Sequence, residues 1–309
     1  MPKKVSVIGA GNVGASLAQR LVEKGFADIV LLDIVEGLPQ GKALDIKESA
    51  PVAGFSTNIK GTNDYKETAG SEVVVVTSGI GRKPGMSRDE LLGINVKIVS
   101  EVTRNIVKHS PDCIIVMVTN PVDTMTYLAL KVSGFERSRV VGQSGVLDSA
   151  RFSNFIAEEL NVPATDVSSF VLGEHGSNMV IIPRLASVKS RPVTEMLPED
   201  VLKRLAQRAV NGGAEIIGLL KTGSAFYAPS AATARMVEAI ALDTKEVLPC
   251  AAYLQGEYGI EDTVIGVPVK LGSSGIEEII EFELTQEEKA ALGSSATAVR
   301  RLVESIKLE

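Results

Sequence analysis

Histidine and cysteine are the scarcest reactive side chains here: the 309 residues hold two of each. Cys113 and Cys250 lie in apolar runs without C-x-x-C spacing, so no disulfide framework is expected and both read as reduced core thiols. The chain also lacks a basic tract, and its net charge is −6. That leaves no electrostatic footprint for nucleic acid. Long apolar runs are missing as well. Met1-Pro2-Lys3-Lys4 leads into only Val5-Ser6-Val7-Ile8, far too short for a signal or membrane segment, and a cytoplasmic protein is expected. Repeats, low-complexity tracts and linkers are absent too, so two halves should pack tightly around a shared cleft. What remains is ordinary globular composition, 45% apolar and 23% charged, in a chain long enough to bury a core without metal or disulfide staples.

The first half alternates apolar β-rich runs with amphipathic helical ones. Val5–Ile8 precedes a helical pattern through Val13, Leu17, Leu21 and Val22. Ile29–Leu32, Val73–Thr77 and Ile114–Val118 are further short, nearly all-apolar strands. Continuous apolar strands separated by helices imply a parallel sheet covered on both faces, the doubly wound α/β arrangement. Past about residue 145 the character changes. Helical patterns such as Arg151–Leu160 give way to Gly- and Pro-containing strand-like runs such as Val264–Leu271. A closing helix follows, opened by the capping box Thr285-Gln286-Glu287-Glu288 and carrying Leu292, Val299, Leu302 and Ile306. The expected organisation is therefore an α/β Rossmann domain over 1–145 and an α+β domain over 146–309.

Between the first strand and first helix stands Gly9-Ala10-Gly11-Asn12-Val13-Gly14, a G-x-G-x-x-G run. Such glycines allow a tight turn, backbone approach to a pyrophosphate and close helix–strand packing, while the helix start offers free N–H groups to phosphate. Asp33 ends the second strand, nineteen residues after Gly14. A carboxylate there accepts ribose hydroxyls and repels a 2′-phosphate, which points to NAD rather than NADP.

Of the two histidines, His109 falls in the polar helical run Lys108-His109-Ser110 and is expected to be exposed and idle. His175 sits in Gly173-Glu174-His175-Gly176 after an apolar run. Imidazole exchanges protons near neutral pH and needs a partner to fix its tautomer; Asp148 is a candidate. Arg82 and Arg88 flank a breaker-rich loop, Gly81-Arg82-Lys83-Pro84-Gly85-Met86-Ser87-Arg88. Two guanidinium forks on one loop fit a small ligand with more than one anionic group. Ser87 with Glu90 reads as a capping box that places Arg88 at the first turn of a helix. The loop can then swing inward as a lid that expels water.

Together with Thr119-Asn120-Pro121-Val122-Asp123, Gly142-Gln143-Ser144-Gly145-Val146-Leu147-Asp148-Ser149-Ala150-Arg151-Phe152 and Gly266-Val267-Pro268-Val269, these motifs resemble the lactate/malate dehydrogenase family. The nearer likeness is to its lactate-dehydrogenase-like malate dehydrogenases, and it covers essentially the whole chain. The resemblance implies a catalytic His175 that exchanges the hydroxyl proton, held by Asp148. It implies that Arg151 grips the C1 carboxylate, that Arg88 polarises the C2 oxygen, and that Asn120 binds substrate beside the nicotinamide. Gly9, Gly11, Asn12, Val13, Gly14, Asp33, Asn95, Val118 and Asn120 would hold NAD. Arg82 would face the far carboxylate of a dicarboxylate substrate, with Met86 and Ala225 shaping the same pocket. A homo-oligomer, dimer or tetramer, is implied, with no metal and no membrane partner.

Ser177 departs from the family, which usually carries an acid two residues after the histidine. Lactate dehydrogenase is the nearest alternative, differing at Arg82. An NAD-dependent glycosidase would need metal-ligating Cys or His beside His175, which the sequence lacks. A silent NAD-binding sensor is disfavoured by the complete set His175, Asp148, Arg151 and Arg88.

Overall fold

The computed structural model describes residues 3–81 and 88–306. In chain order the first half runs β1 (Lys3–Ile8), α1 (Asn12–Lys24), β2 (Ala27–Leu32), α2 (Leu38–Glu48), α3 (Ala50–Ala53), β3 (Ile59–Thr62), β4 (Val73–Val76), α4 (Arg88–His109), β5 (Ile114–Met117), α5 (Val122–Ser133) and β6 (Val140–Gly142). The strands lie in the order β3-β2-β1-β4-β5-β6, parallel throughout. This is the doubly wound order whose crevice opens beyond the carboxyl ends of β1 and β4. Both faces are covered, so every residue of β4 and β5 is buried. That is why these strands read as unbroken apolar runs.

The second half begins with α6 (Gly145–Leu160), six residues before the helical pattern seen in the sequence. It continues through β7 (Val167–Ser168), β8 (Val171–Gly173), β9 (Met179–Ile181), β10 (Ser187–Val188), β11 (Arg191–Pro192), α7 (Glu199–Leu220), α8 (Tyr227–Ala241), β12 (Glu246–Gln255), β13 (Glu261–Gly272), β14 (Gly275–Ile279) and α9 (Gln286–Ser305). β7, β10 and β11 form a small antiparallel sheet of their own, and the other strands extend the first-half sheet. β12 pairs antiparallel with β6 at Ala251 and Gly142, and the sheet runs on through β13, β8 and β9. One apolar core joins the halves, from Val5 and Leu31 through Val146 to Val267 and Leu292. At the Gly266–Gly173 crossing a β-carbon on Gly266 would lie 2.6 Å from the Gly173 carbonyl oxygen. Any side chain there would push the strands apart.

The Thr285–Glu288 capping box forms in full at the start of α9, which buries Leu292 and Val299. Cys113 and Cys250 are buried free thiols, and burial pushes the Cys113 thiol up to about 12. His109 corrects the sequence reading. It is half-buried rather than exposed, stacked on Tyr65 with ring centroids 6.5 Å apart. A helix pattern could not foretell that the segment after β3 supplies a ring to this face. Among the described residues no helix is long and apolar enough to cross a membrane.

Candidate active site

The carboxyl ends of β1, β2, β4 and β5 converge on one crevice. Gly9 follows β1 with φ +108°, and a β-carbon on Gly14 would lie 1.8 Å from the Gly9 carbonyl oxygen. These two glycines are therefore demanded by the turn itself. Gly11 differs, because a β-carbon there would meet nothing within 4 Å. The fold leaves room over Gly11 that a side chain would fill, at the N-cap of α1, which has no side-chain cap and no acid in its first turn. The amides of Asn12, Val13 and Gly14 lie in that first turn, where helix geometry gives N–H groups no intrahelical acceptor. The arrangement fits a phosphate held against main chain.

Asp33 stands at the end of β2. Its Oδ2 accepts the Ala10 N–H at 2.7 Å and its Oδ1 the Val35 N–H at 3.0 Å, so the carboxylate is locked beside the glycine turn. Lys42 on α2 donates to the Ala10 carbonyl at 2.7 Å, pinning the same residue from the other side. A half-buried carboxylate at this strand end is placed to receive hydroxyls and to repel phosphate.

Asn95 stands where the segments after β4 and β5 meet. It is 1% exposed, and its Oδ1 accepts the Ile80 N–H at 2.9 Å while its Nδ2 donates to the Ile80 and Asn120 carbonyls at 3.2 and 2.9 Å. Its amide is thus engaged with the protein, tying the segment after β4 to the segment after β5. The Val118 N–H continues the β5–β4 ladder to Val76. Asn120 follows β5 with an exposed side chain and a cis peptide to Pro121.

α6 and the β8–β9 turn assemble the charged centre. Asp148 occupies the first turn of α6, 1% exposed, with Arg151 one turn on along the same face. Asp148 Oδ2 lies 2.7 Å from His175 Nδ1, and Oδ1 accepts from Arg151 Nη1 at 3.2 Å. Holding Nδ1 on a carboxylate fixes the ring and leaves Nε2 for a substrate proton. Burial alone would push the imidazole down, but the charge and hydrogen bond of Asp148, with the charge of Asp123, outweigh it, and its pKa is raised. The turn is anchored by the Glu174 N–H donating to Ser295 Oγ of α9 at 2.7 Å and the His175 N–H donating to Asp123 Oδ2 of α5 at 2.8 Å. Arg151 Nε is buried without a hydrogen-bond partner, which is spare capacity for a carboxylate.

Two of these anchors, Asp123 and Ser295, were not assigned by sequence. The signal for Asp123 was a lone carboxylate at the start of a helix, Val122-Asp123-Thr124-Met125. Ser177 is exposed beside the turn, and nothing in its surroundings explains the family departure. Ala225 is half-buried after α7. Arg82, Met86 and Ser87 lie outside the described residues. Arg88 begins α4, but nothing is described of its side chain, so the structure brings together His175, Asp148 and Arg151 without locating the two loop guanidiniums. Among the described residues no cluster of His, Cys, Asp or Glu could hold a metal.

Comparison with known proteins places this geometry. Models for the lactate/malate dehydrogenase NAD binding domain and for the lactate/malate dehydrogenase alpha/beta C-terminal domain match residues 3–142 and 145–308. A malate dehydrogenase of Dehalococcoides mccartyi is 59% identical over 308 residues, with full coverage of both chains. The malate dehydrogenase structure from Salinibacter ruber superposes with a TM-score of 0.94 at 48% identity, covering 98% of this chain and 97% of that one. A lactate dehydrogenase from Cryptosporidium parvum, complexed with lactic acid and nicotinamide adenine dinucleotide, gives 0.95 at 38% identity and 98% coverage of each.

Proposed function

The chain belongs to the lactate/malate dehydrogenase family, and on that premise we propose that it is a malate dehydrogenase, interconverting (S)-malate and oxaloacetate with NAD. Full-length identity of 59% to a malate dehydrogenase carries the substrate choice, against 38% to the lactate dehydrogenase.

NAD fits the crevice because Gly11 leaves open space at the α1 N-terminus and Asp33 is fixed at the ribose end. Gly9 and Gly14 shape that turn, Asn12 and Val13 offer amides, and Asn95 holds the segments that line it. When bound, NAD supplies the hydride acceptor at C4 of the nicotinamide; the remaining work falls to the side chains. Arg151 takes the C1 carboxylate through the donors Asp148 does not use. His175 takes the C2 hydroxyl proton at Nε2 during oxidation and returns it during reduction. Asp148 stabilises the imidazolium so formed, as a buried carboxylate partner does for an acid/base histidine. Arg88 polarises the C2 oxygen, Asn120 bonds the substrate beside the nicotinamide, and Arg82 pairs with the distal carboxylate. Residues 1–145 act as the cofactor half and 146–309 as the substrate half.

We read the working form as a cytoplasmic homo-oligomer, dimer or tetramer. The exposed apolar side chains Leu44 and Val52 on α2 and α3 support a covered surface there. The test is loss of NADH absorbance with oxaloacetate and with pyruvate. Rapid turnover of oxaloacetate and slow turnover of pyruvate is expected; the reverse ranking overturns the reading.

A further inference from the structure

Asp123 is 2% exposed, and its two oxygens are treated unequally. Oδ2 accepts the His175 N–H at 2.8 Å, across 52 residues of sequence, while Oδ1 is buried without a hydrogen-bond partner. An acid in the first turn of a helix ordinarily serves that helix's own amides. This one reaches away from α5 to the turn that carries the acid/base. We propose that Asp123 is a positioning residue for His175, holding its main chain from α5 while Asp148 holds its ring from α6, and that its negative charge favours the imidazolium. The inference rests on the acid/base role of His175 given above.

The charged groups facing Asp123 are Glu174 and His175 from the β8–β9 turn and Asp148 from α6. Those facing the imidazole are Asp148 and Arg151 from α6 and Asp123 from α5. Burial, the largest influence, raises the Asp123 carboxyl to about 7, against the lowering effect of the His175 amide and ring. The negative carboxylate and the positive ring therefore favour one another across this contact. An apolar isostere would leave the His175 N–H buried and unpaired. A neutral amide would keep that bond and remove the charge. The two contributions are thus separable by substitution.

The experiment uses the full-length protein with labelled histidine rings, followed by NMR against pH. The chain's two histidines give separable signals, assigned with His175→Asn. In Asp123→Asn the His175 midpoint should fall by about one pH unit, the scale of a lost neighbouring charge, while His109 stays put. The alkaline limb of kcat for oxaloacetate reduction should move down with it, at nearly unchanged KM. Asp123→Ala, which loses the backbone bond as well, should lower kcat about tenfold further, so that Asn acts as the rescuing variant. An unmoved His175 midpoint in the folded Asn variant overturns the charge role, and equal kcat in the Ala and Asn variants overturns the anchoring role. Absence of oxaloacetate reduction in the unmutated protein would strike the proposed function instead, and the NMR titration would still decide the influence of Asp123 on the ring.

Discussion

Gly212 lies against the aliphatic stem of Arg151: a β-carbon on it would come within 3.1 Å of Arg151 Cδ. The bare patch on α7 is what lets the guanidinium settle toward Asp148. Gly212→Ala should crowd that stem and tilt the fork proposed to take the C1 carboxylate. KM for oxaloacetate should rise about tenfold, since displacement of about 1 Å at a positioning group costs up to about a hundredfold. NADH affinity, measured by fluorescence titration, should be unchanged.

His175→Asn should lower kcat by about 10²–10⁴-fold, the usual worth of positioned proton transfer, while NADH still binds. The pH dependence has a definite sign. Because Asp148 and Asp123 outweigh burial and raise the imidazole above its ordinary 6.5, the imidazolium persists past that value. Oxaloacetate reduction, which needs the protonated ring, should hold its rate beyond that point and then decline. Malate oxidation, which needs the neutral ring, should climb through the same interval. Initial rates in both directions across a pH series check this, and parallel profiles would remove His175 as the acid/base.

Asp33→Ser should narrow the preference for NADH over NADPH by about tenfold or more. The substitution removes like-charge repulsion toward a 2′-phosphate and an acceptor for the ribose hydroxyl. It also frees the Ala10 and Val35 N–H groups that the carboxylate now holds, so some loss with NADH is expected too. Comparing kcat/KM for both cofactors measures the effect. Equal use of NADH and NADPH by the unmutated protein would refute the assignment.

Arg82→Gln should shift the kcat/KM ratio of oxaloacetate to pyruvate toward pyruvate by about two to four orders of magnitude. Breaking one side of a desolvated ion pair costs about 3–5 kcal/mol, and each 1.4 kcal/mol or so is tenfold. A shift under about tenfold, small beside that pairing energy, would exclude Arg82 as the specificity residue.

What could be read from sequence was local. The glycine turn and Asp33 belong to one βαβ unit, where spacing along the chain fixes spacing in the crevice. The apolar strands of the first half are equally legible, because burial on both faces leaves no alternation to obscure them. Contacts that span the chain were not. Ser295 meets the Glu174 N–H from 121 residues away, and nothing in a serine on an amphipathic helix announces that bond. The bonds by which the Asn95 amide ties two backbone segments together were equally hidden. His109 looked exposed because a helical face does not reveal its neighbour, here Tyr65.

The pairing of β6 with β12 has a mechanical consequence. The first and second halves of the chain are two ends of a single plank, hydrogen-bonded across the seam. Swinging one half away from the other would tear the backbone pairing at Ala251 and Gly142. The two walls of the crevice are thus fixed to one another through main chain, and neither is a separate body.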